Sequence, residues 1–186
     1  MKVNFNKWFV VLLFICVGTF SMMGQVLTQD DLVKTTDELI DANLNGNGNE
    51  AYLNQLGNRN EVSVIQDAQG ATSSKNLVKV LQVGNRNTAQ INQIGVLNQN
   101  ILIQNGNRNE YTLNLEGSNN TFVIVQEGNR NKINQNLTNT TDMYIELIQQ
   151  GNDNEITHNQ DGLTNHKIIV KQIGDGLKME VNQSNN

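Results

Sequence analysis

Residues 82–93 read Gln82-Val83-Gly84-Asn85-Arg86-Asn87-Thr88-Ala89-Gln90-Ile91-Asn92-Gln93, and frames of the same kind precede and follow them. The frame is Gln-x-Gly-x-x-Asn-x-Φ-x-Φ-x-Gln with Φ usually apolar, so a closing glutamine at position i is followed by the next at i+11. Its Gly-Asn-Arg-Asn core recurs unchanged at 57–60, 84–87, 106–109 and 128–131. A fixed short period is the mark of a stacked repeat, in which each unit buries its apolar face only against its neighbours.

The closing positions are Gln55, Gln66, Gln82, Gln93, Gln104, Leu115, Gln126, Leu137, Gln149, Gln160, Gln172 and Gln183. Six positions before each stand Asn49, Asn60, Asn76, Asn87, Asn98, Asn109, Asn120, Asn131, Met143, Asn154, His166 and Leu177. The steps from Leu137 to Gln149 and from Gln160 to Gln172 are longer than the rest by a single position, and the step from Gln66 to Gln82 is longer still, which places an inserted loop at 66–70. Asn, Φ, Φ and Gln stand two apart, so all four face one side of an extended strand, while Glu61, Ser63, Lys79, Glu110, Lys132 and Glu155 face the other. Two positions after the closing residue, Gly57, Gly84, Gly95, Gly106, Gly117, Gly128, Gly151, Gly162 and Gly174 supply the positive φ of a tight reversal.

Two such strands make one coil, so position i lies under i+22 and alternate closing residues stack. One ladder is Gln55, Gln82, Gln104, Gln126, Gln149 and Gln172; the other is Gln66, Gln93, Leu115, Leu137, Gln160 and Gln183. Identical amides stacked at the strand spacing of ~4.8 Å can pair each side-chain carbonyl with the next N–H, which is what makes an interior amide tolerable. The reading is an all-β, two-sheet parallel β-solenoid of about six coils, roughly 29 Å tall, over residues 44–186. Neither end of the repeat shows a polar cap, so addition of further chains at the end coils is expected.

Composition agrees with this class. The chain has 33 Asn, 17 Gln and no proline among 186 residues, a bias that without apolar patterning would signal disorder. Lys2 and Lys7 followed by an apolar run from Trp8 to Val17 form a secretory signal peptide over residues 1–24. Its loss removes the sole cysteine, Cys16, and takes the net charge from −5 to −7. Disulfides and thiolate metal sites are thereby excluded from the secreted chain, and nucleic acid is not expected as the main partner. Residues 25–43, with Asp30, Asp31, Asp37 and Glu38 among Leu32, Val33, Leu39 and Ile40, read as a leader, either a short acidic helix or a disordered segment.

No carboxylate pair, nucleophile–base arrangement or phosphate loop stands out, so neither an enzyme nor a cofactor is expected. His158 and His166 lack companions for a metal site and read as variants of the repeat. Arg59, Arg86, Arg108 and Arg130 line one edge at successive coils. That row fits an anion-binding stripe for acidic polysaccharide or extracellular DNA, and fits better a solvated charge row that keeps the chain soluble and limits sideways aggregation.

The repeat resembles that of the curlin family over residues 44–183. The resemblance implies a bacterial subunit exported unfolded that assembles at the cell surface into a functional amyloid of the biofilm matrix, as a major or a nucleating subunit. Its implied partners are further copies of itself, a second curlin-type subunit and an outer-membrane secretion pore that the leader engages. The alternative from a different class is a monomeric or surface-tethered solenoid that does not polymerise and binds carbohydrate or ice on a flat outer face.

Overall fold

The computed structural model describes residues 39–45, 48–69 and 75–184, with side chains from residue 48 onward. Thirteen strands run through these residues, alternating between two sheets. The seven-stranded sheet holds β1 (Leu39–Asn45), β3 (Glu61–Asp67), β5 (Thr88–Ile94), β7 (Glu110–Ser118), β9 (Lys132–Thr141), β11 (Glu155–Asp161) and β13 (Lys178–Ser184) in chain order. The six-stranded sheet holds β2 (Glu50–Asn58), β4 (Leu77–Asn85), β6 (Gln99–Asn107), β8 (Thr121–Asn129), β10 (Tyr144–Asn152) and β12 (Lys167–Ile173). Every pairing is parallel, so the chain is a two-sheet β-solenoid of about six coils.

The strand register follows the closing residues. Gln55 pairs with Gln82, Gln82 with Gln104, Gln104 with Gln126, Gln126 with Gln149 and Gln149 with Gln172. The apolar positions between them stack likewise, as Leu53, Val80, Leu102, Ile124, Leu147 and Val170 on one sheet and Val62, Ala89, Tyr111, Ile133 and Ile156 on the other, all buried. Each fully buried Leu or Ile contributes about 1.5–3 kcal/mol, so the apolar ladders drive the stacking and the amides set its register. Met179, in register with Ile156, is exposed because β13 is an edge strand.

The structure departs from the sequence reading at three places. Among the described residues the array begins at Leu39 with β1, which pairs along β3 and takes the last residues of the expected leader into the sheet; residues 1–38, including the expected signal peptide, lie outside the described residues. The insertion after the third strand begins later than 66: Gln66 and Asp67 remain in β3, and Ala68 is buried. Gly117 does not have the positive φ expected of it. The extra residue in β9 shifts the β7–β9 register between Leu115 and Gly117, and the left-handed residue of that turn is Asn119, with φ 56°.

Candidate functional site: the stacked amides and the open sheet edges

Glutamine and asparagine use their amides differently. In the six-stranded sheet each glutamine Nε2 donates to the Oε1 of the next coil, at 2.7 Å from Gln55 to Gln82 and from Gln82 to Gln104, 2.8 Å to Gln126, 3.0 Å to Gln149 and 2.9 Å to Gln172. The second amide proton crosses to the facing sheet: Gln104 reaches the Thr88 carbonyl at 3.1 Å, Gln126 the Glu110 carbonyl at 3.0 Å and Gln149 the Lys132 carbonyl at 3.0 Å. The ladder is therefore polar, with every donor pointing toward the C-terminal coil.

The other ladder is interrupted by its leucines. Gln66 donates to Gln93 at 3.0 Å and Gln160 to Gln183 at 2.7 Å, but Gln93 Nε2 faces Leu115 and Gln160 Oε1 faces Leu137, and both atoms are buried without a partner.

The inward asparagines stack coil on coil but bond mostly to backbone, with amide-to-amide bonds from Asn120 to Asn98 at 3.0 Å and from Asn154 to Asn131 at 3.1 Å. Their Oδ1 accepts the backbone N–H of the next coil, as Asn87 does from Asn109 at 3.0 Å and Asn109 from Asn131 at 3.1 Å. Their Nδ2 donates to the glycine carbonyl of a turn one coil on, from Asn60 to Gly84 at 3.0 Å, Asn87 to Gly106 at 2.9 Å and Asn131 to Gly151 at 2.8 Å. Asn49, Asn76, Asn98, Asn120 and Asn154 supply the same backbone acceptor to Asn76, Asn98, Asn120, Met143 and Leu177. The side chain is one methylene shorter than glutamine, so it reaches the turn that both residues belong to and pins it.

Those turns explain the glycines. Gly57, Gly84, Gly95, Gly106, Gly128, Gly151, Gly162 and Gly174 have φ from 71° to 134°. A second reason is spatial: a Cβ on Gly106 would stand 1.9 Å from the Gly128 carbonyl oxygen, and one on Gly117 would stand 2.2 Å from that of Thr140. Successive coils touch backbone to backbone at this corner, and no side chain fits between them.

Sequence reasoning found the arginine after the turn's first asparagine but missed its backbone conformation. Arg59, Arg86, Arg108 and Arg130 are left-handed, with φ from 56° to 59°, a conformation that costs a side-chain-bearing residue about 1–2 kcal/mol. It persists because the N–H of three of them donates to the preceding coil, from Arg86 to Asn58 O, Arg108 to Asn85 O and Arg130 to Asn107 O, each at 2.9 Å. The four arginines thus stack along one edge as the sequence predicts, and Asp153 continues the row by pairing with Arg130 at 2.6 and 2.7 Å. Also missed was an exposed ladder of the turn asparagines, Asn58, Asn85, Asn107, Asn129 and Asn152, ending on Asp175. The four identical Gly-Asn-Arg-Asn copies carried that signal.

His158 is buried in the seven-stranded sheet, where its Nδ1 lies 3.2 Å from Gln135 Nε2. Gln135 accepts from the Tyr111 hydroxyl at 3.0 Å, and Asn100 donates to that hydroxyl at 2.8 Å. His158 Nε2 has no partner, and burial lowers the imidazole pKa to about 4. His166 is exposed and bonds the Thr164 carbonyl. No cluster of His, Cys, Asp or Glu suited to a metal occurs among the described residues, and no helix among them is long and apolar enough to cross a membrane.

What remains is the ends. Among the described residues, β2 and β12 in the six-stranded sheet each have a neighbouring strand on one side only, as do β1 and β13 in the seven-stranded sheet. Gln55 Oε1, on β2, is buried and accepts no hydrogen bond. The outward faces of the edge strands carry Tyr52, Leu56, Ile169 and Ile173, all exposed. The fold and its ends define a polar, end-open parallel β-solenoid. No family model, curated protein or solved structure matches this chain.

Proposed function

We propose that this protein is a secreted structural subunit that adds to copies of itself through its end coils, forming an extracellular curli-like amyloid fibre for surface adhesion and biofilm matrix. The observation that carries the reading is the pair of open ends: among the described residues each sheet stops, at both ends, in a strand that has a neighbouring strand on one side only. Gln55 Oε1 adds a buried acceptor aimed the same way, a group that costs about 1–3 kcal/mol until a donor reaches it. A subunit whose glutamine ladder runs in one direction favours head-to-tail addition over head-to-head. The curlin-like repeat supports secretion and the surface location, with residues 25–38 as the segment that engages a secretion pore. A second curlin-type subunit, and acidic polysaccharide along the arginine row, are its proposed partners.

The test is a thioflavin T time course on freshly desalted secreted chain, alone and with preformed seeds of itself. A lag phase that seeds abolish is expected. A flat trace with a monodisperse, β-rich monomer would refute self-assembly and favour the binding solenoid.

A further inference from the structure

The described residues hold an odd number of strands, and that parity governs how copies can stack. Strands alternate between the sheets, so among the described residues the N-terminal end presents β1 and β2, and the C-terminal end presents β12 and β13. If β2 of one copy continues the six-stranded sheet beyond β12 of another, the slot beside β3 in the seven-stranded sheet must be filled by the neighbour's β13. That slot already holds β1, paired with β3 from Leu39 against Glu61 to Asn45 against Asp67. If β1 stays and β13 pairs with it instead, the six-stranded sheet is left one strand short at every junction.

We propose that β1 is a detachable cap on the N-terminal end, and that β13 of a second copy displaces it from β3 during fibre growth. The inference rests on the self-assembly reading above and names the two surfaces that meet. With β1 gone, the C-terminal edge continues the N-terminal edge residue for residue in the register that the interior strands keep.

Charge supports that register. The first outward position of the seven-stranded sheet alternates in sign from Glu110 to Lys132, Glu155 and Lys178, with Lys132 3.0 Å from Glu110 and Lys178 2.9 Å from Glu155. Lys178 would next meet Glu61 of the incoming copy, whereas retained β1 offers it Leu39. In the six-stranded sheet Lys167 would meet Glu50, and exposed Ile169 and Ile173 would cover Tyr52 and Leu56.

The amides support it independently. Every ladder donor points toward the C-terminal end; there Gln172 Nε2 bonds the Glu155 and Leu177 carbonyls at 3.0 and 3.3 Å and would exchange the longer bond for Gln55 Oε1 of the next copy, while Gln183 Nε2 would meet Gln66 Oε1. Both of those Oε1 acceptors are buried and without a partner in the single chain. Against Gln66 β1 sets Leu44, a residue type without an amide. β1 thus takes the place of a repeat strand while lacking its closing glutamine, which suits a segment that pairs and later leaves.

The test is a redox lock. Asp41 and Ser63 are register partners on β1 and β3, and adjacent strands lie ~4.8 Å apart, within disulfide reach. Asp41→Cys and Ser63→Cys are introduced together in the secreted chain, residues 25–186, which has no other cysteine. Circular dichroism of both redox forms checks that the lock leaves the β-structure intact, and elongation of wild-type seeds is the readout. The reduced double variant should extend the seeds as wild type does, the oxidised form should fail to, and dithiothreitol should restore growth. Equal elongation by the two forms would overturn the cap, as would failure of the pair to oxidise in the monomer, because β1 would then not lie on β3. If wild-type chain shows no seeded growth, self-assembly itself fails, and the cap with it, before the lock is ever used.

Discussion

Replacing Gln126 by alanine should cost far more than replacing an equally well bonded amide on the surface. Gln126 is fully buried; it accepts from Gln104 at 2.8 Å, donates to Gln149 at 3.0 Å and donates to the Glu110 carbonyl at 3.0 Å. Gln126→Ala strands the Gln149 Oε1, one Gln104 N–H and the Glu110 carbonyl in a space too apolar to replace them. At about 1–2 kcal/mol for each buried group left unpaired, the loss comes to roughly 3–6 kcal/mol. Asn114 donates to Asn136 at 2.9 Å with similar geometry, but both are exposed, so water replaces the bond and Asn114→Ala should fall within about 0.5 kcal/mol of wild type. Gln126→Leu keeps the volume and should lie between the two. Urea unfolding of freshly prepared monomer, followed by far-UV circular dichroism, measures all three. A Gln126→Ala loss within about 1 kcal/mol of that for Asn114→Ala would refute the claim that the interior ladder depends on paired amides.

Two glycine variants separate backbone strain from coil contact: Gly176→Ala, with open space around its Cβ, should cost about 1–2 kcal/mol, whereas Gly106→Ala, 1.9 Å from a carbonyl oxygen, should cost at least about 3 kcal/mol in the same assay. The lowered pKa of His158 means that the folded chain binds its proton less readily than the unfolded one. Its contribution to stability is complete above pH 6.5 and is lost as pH falls toward about 4, by roughly 3 kcal/mol at most. Asp153 and Asp161, whose pKa values are lowered by hydrogen bonds from Arg130 and from Asn139 and Thr138, titrate below that window. Urea midpoints at pH 7 and pH 5 should therefore differ less in His158→Leu than in wild type. At the fibre junction, Lys167→Glu should slow seeded elongation by setting like charges opposite, and Glu50→Lys in the same chain should restore it; unchanged growth in the single variant would argue against that register.

Strand spacing, sheet pairing and the glutamine ladder were legible because a period of two sets the face and the recurrence from i to i+22 sets the stack. The apolar partners of Leu53 and Val62 followed from the same count. The asparagine contacts did not follow, since stacking places Asn87 over Asn60 without saying that the shorter side chain bonds a backbone N–H and a turn carbonyl. β1 escaped because Leu39–Asn45 has no closing glutamine, and its neighbours Asp37 and Glu38 gave the leader an acidic, helix-like look. Gly117 was misjudged because the extra residue that shifts the register lies in the opposing strand, β9, where it reads only as a slightly longer step from Leu137 to Gln149.

The most direct test of the central claim is the mass per unit length of the fibre by scanning transmission electron microscopy. A stacked solenoid of about six coils places one subunit in every ~29 Å. An amyloid in which each chain occupies a single layer would place one subunit in every ~4.8 Å, about six times the mass per length, and would contradict the end-to-end account.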